Sequence, residues 1–201
     1  MHAYSINSPE RWRVLFFIAA VSIALAKGLD LLLNTYWAFG ADYFSIPSAF
    51  AIYGIFYAFF DKHLWKIGTL RTIGLIETPN FSGTWNGEAT SSIDDYQSKY
   101  QFKITVHQTW AKISLYLEGD TRVSESTMAA MEKKNPTHSK IEWGFLSKNK
   151  PEYQENEYMF YGVTRLDLRM SKNHRVEDVV EGDYYTDKSR DSYGKITLTR
   201  A

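Results

Sequence analysis

Residues 12–33 read WRVLFFIAAVSIALAKGLDLLL, and residues 46–60 read IPSAFAIYGIFYAFF. These two apolar runs decide the architecture, because everything after them reads as β-structure. A membrane-spanning helix needs about 20 mostly apolar residues. The first run meets that requirement, with Lys27 and Asp30 three apart near one end, placed to pair or to snorkel. The second reaches it by continuing past Phe60 into a turn through Asp61, Lys62 and His63 towards Trp65. Tyr53, Tyr57 and Trp65 stand where interfacial anchors belong. The expected layout is a transmembrane helical hairpin over 1–66, with spans of about 12–36 and 46–66, a linker over 67–79, and a β-domain over 80–201.

A secretory signal peptide competes for the first run. Arg11 and Arg13 would be its basic region and Ala24-Leu25-Ala26 its cleavage site. The apolar character resumes after Lys27, which suits a long span better. Orientation follows from the basic residues. Arg11 and Arg13 flank the first span, and Lys62, Lys66 and Arg71 follow the second. The connecting loop, Asn34 to Ser45, has neither Lys nor Arg. The positive-inside rule then places both termini and the β-domain in the cytoplasm of a multi-pass membrane protein.

Small residues recur at spacing four: Ala20, Ala24 and Gly28 in the first helix, Gly54 and Ala58 in the second. Such stripes let helix backbones approach closely in lipid. They suit packing within one hairpin or between copies. With Lys27 and Asp30 they form the candidate assembly surface.

The β-domain repeats a pattern of alternating runs between turn signals. Eight runs stand out: 81–89, 100–110, 111–118, 121–131, 140–146, 157–169, 178–186 and 192–199. Lys133 to Ser139 and Ser147 to Asn156 read as loops. Eight consecutive strands on short connections predict an up-and-down antiparallel barrel, with a sandwich as the alternative. An eight-stranded barrel holds side chains or one small ligand inside.

Parity assigns the faces. Glu125, Glu181, Asp183 and Asp187 should meet water. That sends Arg122, Ser124, Ser126 and Met128 inward on one strand, and Gly182, Tyr184 and Thr186 inward on another. Trp85, Gln108, Trp110 and Thr164 also fall inward, as do Phe160, Gly162 and Leu166. Part of the interior is therefore rich in donors. A buried arginine needs an anion, and a planar donor fork among hydroxyls suits a phosphate; the alternative is that Arg122, just after a turn, sits at the barrel rim beside Asp120 and meets no ligand. Trp85, Trp110 and Tyr184 are of the kind that stacks on bases.

Composition narrows the classes further. Lys plus Arg and Asp plus Glu both count 23, and the β-domain is near neutral, which argues against DNA or RNA polymers as partners. Cysteine is absent, which excludes disulfides and thiolate chemistry. No phosphate-loop, dinucleotide, nucleophile-elbow or metalloprotease motif occurs, and the five histidines are scattered. His107 falls on an outward face. The expectation is a protein that is not an enzyme and has no metal and no cofactor.

Four motifs, in order, carry a family resemblance: FSGTW at 81–85, TRVSESTMAAM at 121–131, EYMFYGVTRLDL at 157–168 and VEGDYYTDKSRDSYGKITLTR at 180–200. With the hairpin, they resemble the CBASS anti-phage membrane effectors of the SMODS-associated 2TM-β type. The resemblance implies a cyclic oligonucleotide, most simply a cyclic dinucleotide, made by a partner nucleotidyltransferase and bound in the cytoplasmic barrel. It implies that the hairpin then self-assembles and disrupts the bacterial inner membrane, with membrane lipid as its target, as in abortive infection. The residues taking those roles here would be Arg122, Ser124, Ser126, Thr164, Tyr184 and Thr186 as ligand contacts. Trp85 and Trp110 would be stacking walls, Gln108 a neighbouring contact, and Arg190 a loop residue closing over a phosphate. The alternative is a membrane-anchored, lipocalin-like carrier of an apolar ligand. A barrel with a filled interior would instead be a structural subunit.

Overall fold

The computed structural model describes residues 1–36, 45–153, 159–171 and 175–201. Two compact units emerge: Pro9–Glu77, and Met1–Ser8 together with Thr78–Ala201. The helical stretch is thus inserted between an N-terminal strap and the rest of the β-unit. Residues 1–8, read above as part of the membrane segment, lie in the β-unit.

In the helical unit, α1 spans Glu10–Tyr36 and α2 spans Ser45–Lys62. Most of the connecting loop, residues 37–44, lies outside the described residues. Among the described residues, one helical segment, Glu10–Leu33, is long and apolar enough to cross a membrane by length and composition. The 18 residues of α2 extend about 27 Å at 1.5 Å per residue, just short of a hydrocarbon core of about 30 Å. On α1, Val14, Ile18, Ser22 and Ala26 form the buried stripe, and Ser22 Oγ donates to the Ile18 carbonyl at 2.7 Å. Ala20, Ala24 and Gly28 face away from it, and Gly54 and Ala58 are also exposed. The small-residue stripes therefore do not pack the hairpin together. Lys27 Nζ lies 3.9 Å from Asp30 Oδ2, so the expected pair forms.

The stretch 67–79 is not plain linker. A short helix α3, Gly68–Thr72, ends at Gly74, whose φ of +73° is the left-handed value a helix stop requires. The stretch is tied back to the first turn of α1. Glu77 N–H donates to Glu10 Oε2 at 2.6 Å, and Arg13 Nη2 donates to Glu77 Oε1 at 3.0 Å.

In the β-unit, two short strands come first, β1 (His2–Ala3) and β2 (Ser5–Ile6). Eight longer ones follow: β3 (Gly83–Ala89), β4 (Tyr100–Gln108), β5 (Lys112–Gly119), β6 (Arg122–Asn135), β7 (His138–Asn149), β8 (Phe160–Arg169), β9 (Val179–Thr186) and β10 (Tyr193–Arg200). All eight sequence runs become strands. Each is antiparallel to its neighbour, and β3 pairs with β10, so the meander closes where β5 meets β6. The result is the closed eight-stranded antiparallel barrel, not the sandwich.

Two readings need correction. Residues 133–139 are not an open loop, because β6 and β7 run on to a tight turn in which Asn135 Oδ1 accepts from Thr137 N and His138 N, each at 2.9 Å. Met128 does not point inward. The β6–β7 register slips by one between Ser126 and Met128, so the parity flips there. Met128 is exposed and Met131 becomes a core residue.

The up-and-down order gives the barrel two unlike ends. The connections at 90–99, 120–121 and 187–192 share one end, and 150–153, after β7, lie there too. The other end carries the entry at 78–82, the turn at 109–111 and the C-terminus. It is filled by Tyr4, Phe81, Trp85, Val106 and Ile113, with Leu168 and Leu198 beside them.

Candidate functional site

The loop-bearing end opens into a cavity of about 480 Å³, within the range of small-molecule sites. The barrel is therefore not filled throughout. Arg122, Ser124, Ser126, Thr164, Tyr184, Thr186 and Arg190 all line this cavity. Seven of the ten side chains expected at a ligand meet in one place.

The cavity's polar rim is built around Phe160, the first residue of β8. The guanidinium carbon of Arg122 lies 4.7 Å from the centroid of its ring, and that of Arg190 lies 4.7 Å from it too. The two cations are thus at most twice that distance apart, each held by the ring's quadrupole. Arg122 is also held from the neighbouring strand. Its Nε–H donates to Ser147 Oγ at 3.2 Å, and its Nη1–H donates to Asn149 Oδ1. The register makes this possible, since Arg122 faces Asn149 and Ser124 faces Ser147 across β6–β7.

Arg190 sits in the β9–β10 loop, which Asp187 organises. Asp187 accepts from Ser189 Oγ and from Tyr161 N at 3.0 Å, and the Arg190 N–H donates to the Asp187 carbonyl at 3.2 Å. The Ser189 hydroxyl, followed by the Tyr161 N–H, holds the Asp187 carboxyl below its ordinary range. Thr186 Oγ1 closes the base of the loop by accepting from Ser192 N at 2.9 Å. Among the described residues, no side-chain hydrogen bond holds the Arg190 guanidinium.

The hydroxyls divide into two kinds. Ser126 Oγ accepts from Leu115 N at 2.9 Å and lies 2.8 Å from His2 Nε2. Tyr184 donates to the Thr90 carbonyl at 3.2 Å. Ser124 and Thr164 are almost fully buried, and among the described residues their hydroxyls have no protein partner. Those two are the ones best placed to serve a ligand, because both line the cavity with a hydroxyl that can donate into it.

Aromatic side chains line the walls. Trp143, Phe145, Phe102 and Tyr100 border the cavity. Glycines let rings lie flat against the strands. A Cβ on Gly162 would sit 2.3 Å from Phe145 Cζ, and one on Gly194 would sit 1.8 Å from the Thr90 carbonyl oxygen. Tyr100 donates to Asp94 Oδ2 at 3.0 Å, and that bond pushes its phenol pKa up.

Trp85, Gln108 and Trp110 do not line the cavity. Trp85 and Gln108 point inward as parity required, but towards the closed end, while Trp110 is buried in the turn after β4 and is not one of the barrel-core side chains. Trp85 packs on Phe81 with ring centroids 4.8 Å apart, beneath the Arg200 guanidinium at 4.3 Å. Gln108 accepts from Phe81 N at 2.8 Å and donates to the Pro79 carbonyl at 3.0 Å. The Trp110 carbonyl accepts from the Tyr4 hydroxyl at 2.8 Å. All three hold the floor together, so a stacking role for the two tryptophans does not fit their positions. Parity missed depth along the strand. Ser147 and Asn149 were missed because that stretch reads as loop, while Trp143 and Phe145 carry only the apolar alternation of a core strand.

Residues 76–200 match the family model described as "Cap15, cyclic dinucleotide receptor domain", and residues 13–66 match "Cap15, TM helices". The chain belongs to the Cap15 family. A relative, "CD-NTase-associated protein 15" of Yersinia aleksiciae, is 27% identical over 187 residues, covering 92% of this chain and 86% of its own. Cap15 proteins are CBASS-associated membrane effectors, as the sequence motifs implied. The receptor-domain match spans the barrel from β3 to β10, and most of the apolar α1 lies within the matched helical region. The family assignment and α1 together support association with a membrane.

Proposed function

We propose that this chain is a cyclic-nucleotide-gated effector of bacterial anti-phage defence. A cyclic dinucleotide, supplied by a partner nucleotidyltransferase, binds in the open end of the barrel. Its two phosphates meet Arg122 and Arg190. Ser124 and Thr164 donate to phosphate or sugar oxygens, and the bases lie against Tyr100, Phe102, Trp143 and Tyr184. Binding promotes self-assembly of the helical unit through the outward stripe Ala20, Ala24, Gly28, Gly54 and Ala58, with Lys27 and Asp30 at its edge. The assembly disrupts the inner membrane, with both termini and the barrel in the cytoplasm. No step requires bond chemistry, a metal or a cofactor.

The observation that carries this reading is the pair of guanidinium groups stacked on Phe160 in the lining of the barrel's open cavity. Two fixed cations beside unpartnered hydroxyls match a compact dianion. An apolar-ligand carrier has no use for them. For the ligand to act, it must bind the assembled state more tightly than the unassembled one.

Calorimetry on the detergent-solubilised full chain, titrated with cyclic di-AMP, cyclic di-GMP and cyclic UMP-AMP, tests the ligand class. Saturable binding to one of them is expected, weakened in Arg122→Ala by about 2 kcal/mol or more. Binding of a long-chain fatty acid with no response to any of the three would favour the carrier instead.

A further inference from the structure

The barrel does not close by strand pairing alone. β5 and β6 pair only through Tyr116–Glu118 and Val123–Glu125. Below that, the bulge at Ser126–Met128 carries β6 away from β5. Residues 1–8 fill the gap. His2 and Ala3 pair with Ile113 and Lys112 of β5, and Ser5 and Ile6 pair in parallel with Ala130 and Met131 of β6. Tyr4, between them, is buried in the core. The strap is pinned further by Asn7, whose Oδ1 accepts from Lys133 N at 2.8 Å.

The upper end of this strap touches the ligand cavity's wall. Ser126 lines the cavity, and its Oγ accepts from Leu115 N. His2 Nδ1 lies 3.2 Å from the Ala3 carbonyl, which can only accept, so Nδ1 carries the proton. In the neutral imidazole Nε2 is then an acceptor, and the Ser126 O–H donates to it. The single proton of Ser126 is therefore committed to the strap. A phosphate oxygen needs that same proton and cannot share it. Two residues beyond the strap, at Glu10, α1 begins.

We propose that residues 1–8 are a ligand-released strap: a cyclic dinucleotide phosphate takes the Ser126 hydroxyl from His2, frees the strap from the β5–β6 seam, and so loosens the chain leading into α1, whose first turn stays bonded to Glu77. This rests on the ligand reading above. Release supplies the differential affinity that gating needs, because the ligand binds the strap-out barrel with one more donor than the strap-in barrel.

Hydrogen exchange of the N-terminal peptide, measured on the full chain in detergent at mildly alkaline pH, is the direct test. Saturating cyclic dinucleotide should raise exchange in residues 2–8 about fivefold, the equivalent of that one hydrogen bond, while protecting the cavity strands. His2→Ala should bind the same nucleotide about fivefold more tightly, the equivalent of one net hydrogen bond no longer opposed. A merely destabilised barrel would bind it more weakly. Because the chain has no cysteine, Ala3→Cys with Lys112→Cys gives one clean disulfide between paired residues. The stapled protein should bind more weakly than its reduced form. Nucleotide binding with unchanged strap exchange and unchanged His2→Ala affinity would overturn the strap and leave the receptor reading standing. No binding of any of the three nucleotides would overturn both.

Discussion

Arg122 and Ser147 meet across the β6–β7 pair, with Nε donating to Oγ at 3.2 Å. Neither residue is adjacent to the other in sequence, and the bond fixes the guanidinium plane before any ligand arrives. Pre-organisation of this kind lowers the ordering cost of binding. Ser147→Ala should leave the fold intact and weaken cyclic dinucleotide binding by about 1 kcal/mol, the net worth of one hydrogen bond. Arg122→Lys should recover little of the affinity lost in Arg122→Ala, because a point charge cannot reproduce the planar fork. Calorimetry on the three variants decides it.

The Arg190 loop depends on a charged Asp187. Hydrogen bonds from Ser189 and Tyr161 depress its carboxyl pKa in the folded protein. A depressed acid contributes order above the unfolded value, near 3.9, and loses it as pH falls through the folded value. The loop should therefore hold its conformation unchanged from neutral pH down to the ordinary carboxylate range, and loosen only below it. An NMR titration of the Asp187 carboxyl and the Tyr161 amide would follow this. At neutral pH, Asp187→Asn should weaken nucleotide binding less than Arg190→Ala does.

A Cβ on Gly194 would meet backbone first, 1.8 Å from the Thr90 carbonyl oxygen, with the Tyr184 ring next at 2.7 Å. Gly194→Ala should destabilise the barrel by about 1–3 kcal/mol, the usual cost of overpacking. Gly162→Ala should instead drive Phe145 into the cavity, lowering nucleotide affinity as well as Tm. Thermal melts with and without nucleotide separate the two.

Trp85 belongs to the floor. Trp85→Ala should cost about 3–5 kcal/mol of stability. The milder Trp85→Phe should keep nucleotide affinity within about twofold, roughly 0.4 kcal/mol. A large, selective loss of affinity in a well-folded Trp85→Phe would restore the stacking role that its position argues against.

The small-residue stripe faces outward from the hairpin's own packing. Ala24→Leu should leave nucleotide binding unchanged and reduce ligand-dependent cross-linking between copies in membranes. Val14→Ala, in the buried stripe, should disturb the helical unit itself.

The alternation of Phe102, Ile104 and Val106 or of Ile141, Trp143 and Phe145 made strands and faces legible, since period two has one meaning when one face is buried. The same alternation is silent on depth. Trp85 shares the inward face with Arg122 yet sits at the opposite end. Met128 shows how one extra residue at a bulge reverses the parity rule. The strap was illegible because His2–Ala3 and Ser5–Ile6 are too short to show a period, and their partners lie more than a hundred residues away. Arg122 was legible only as an inward arginine among serines, with a rim position beside Asp120 reading equally well. Its clamp by Ser147 and Asn149 was not, because β7 runs three residues past its last apolar position.

The account stands most directly on one measurement: dye release from vesicles of bacterial lipid carrying the full chain, with the cyclic dinucleotide that calorimetry identifies. Release that appears only with nucleotide, and is lost in both Arg122→Ala and Ala24→Leu, is the predicted result. Release that is equal without nucleotide, or that persists in Arg122→Ala, would contradict a ligand-gated membrane effector.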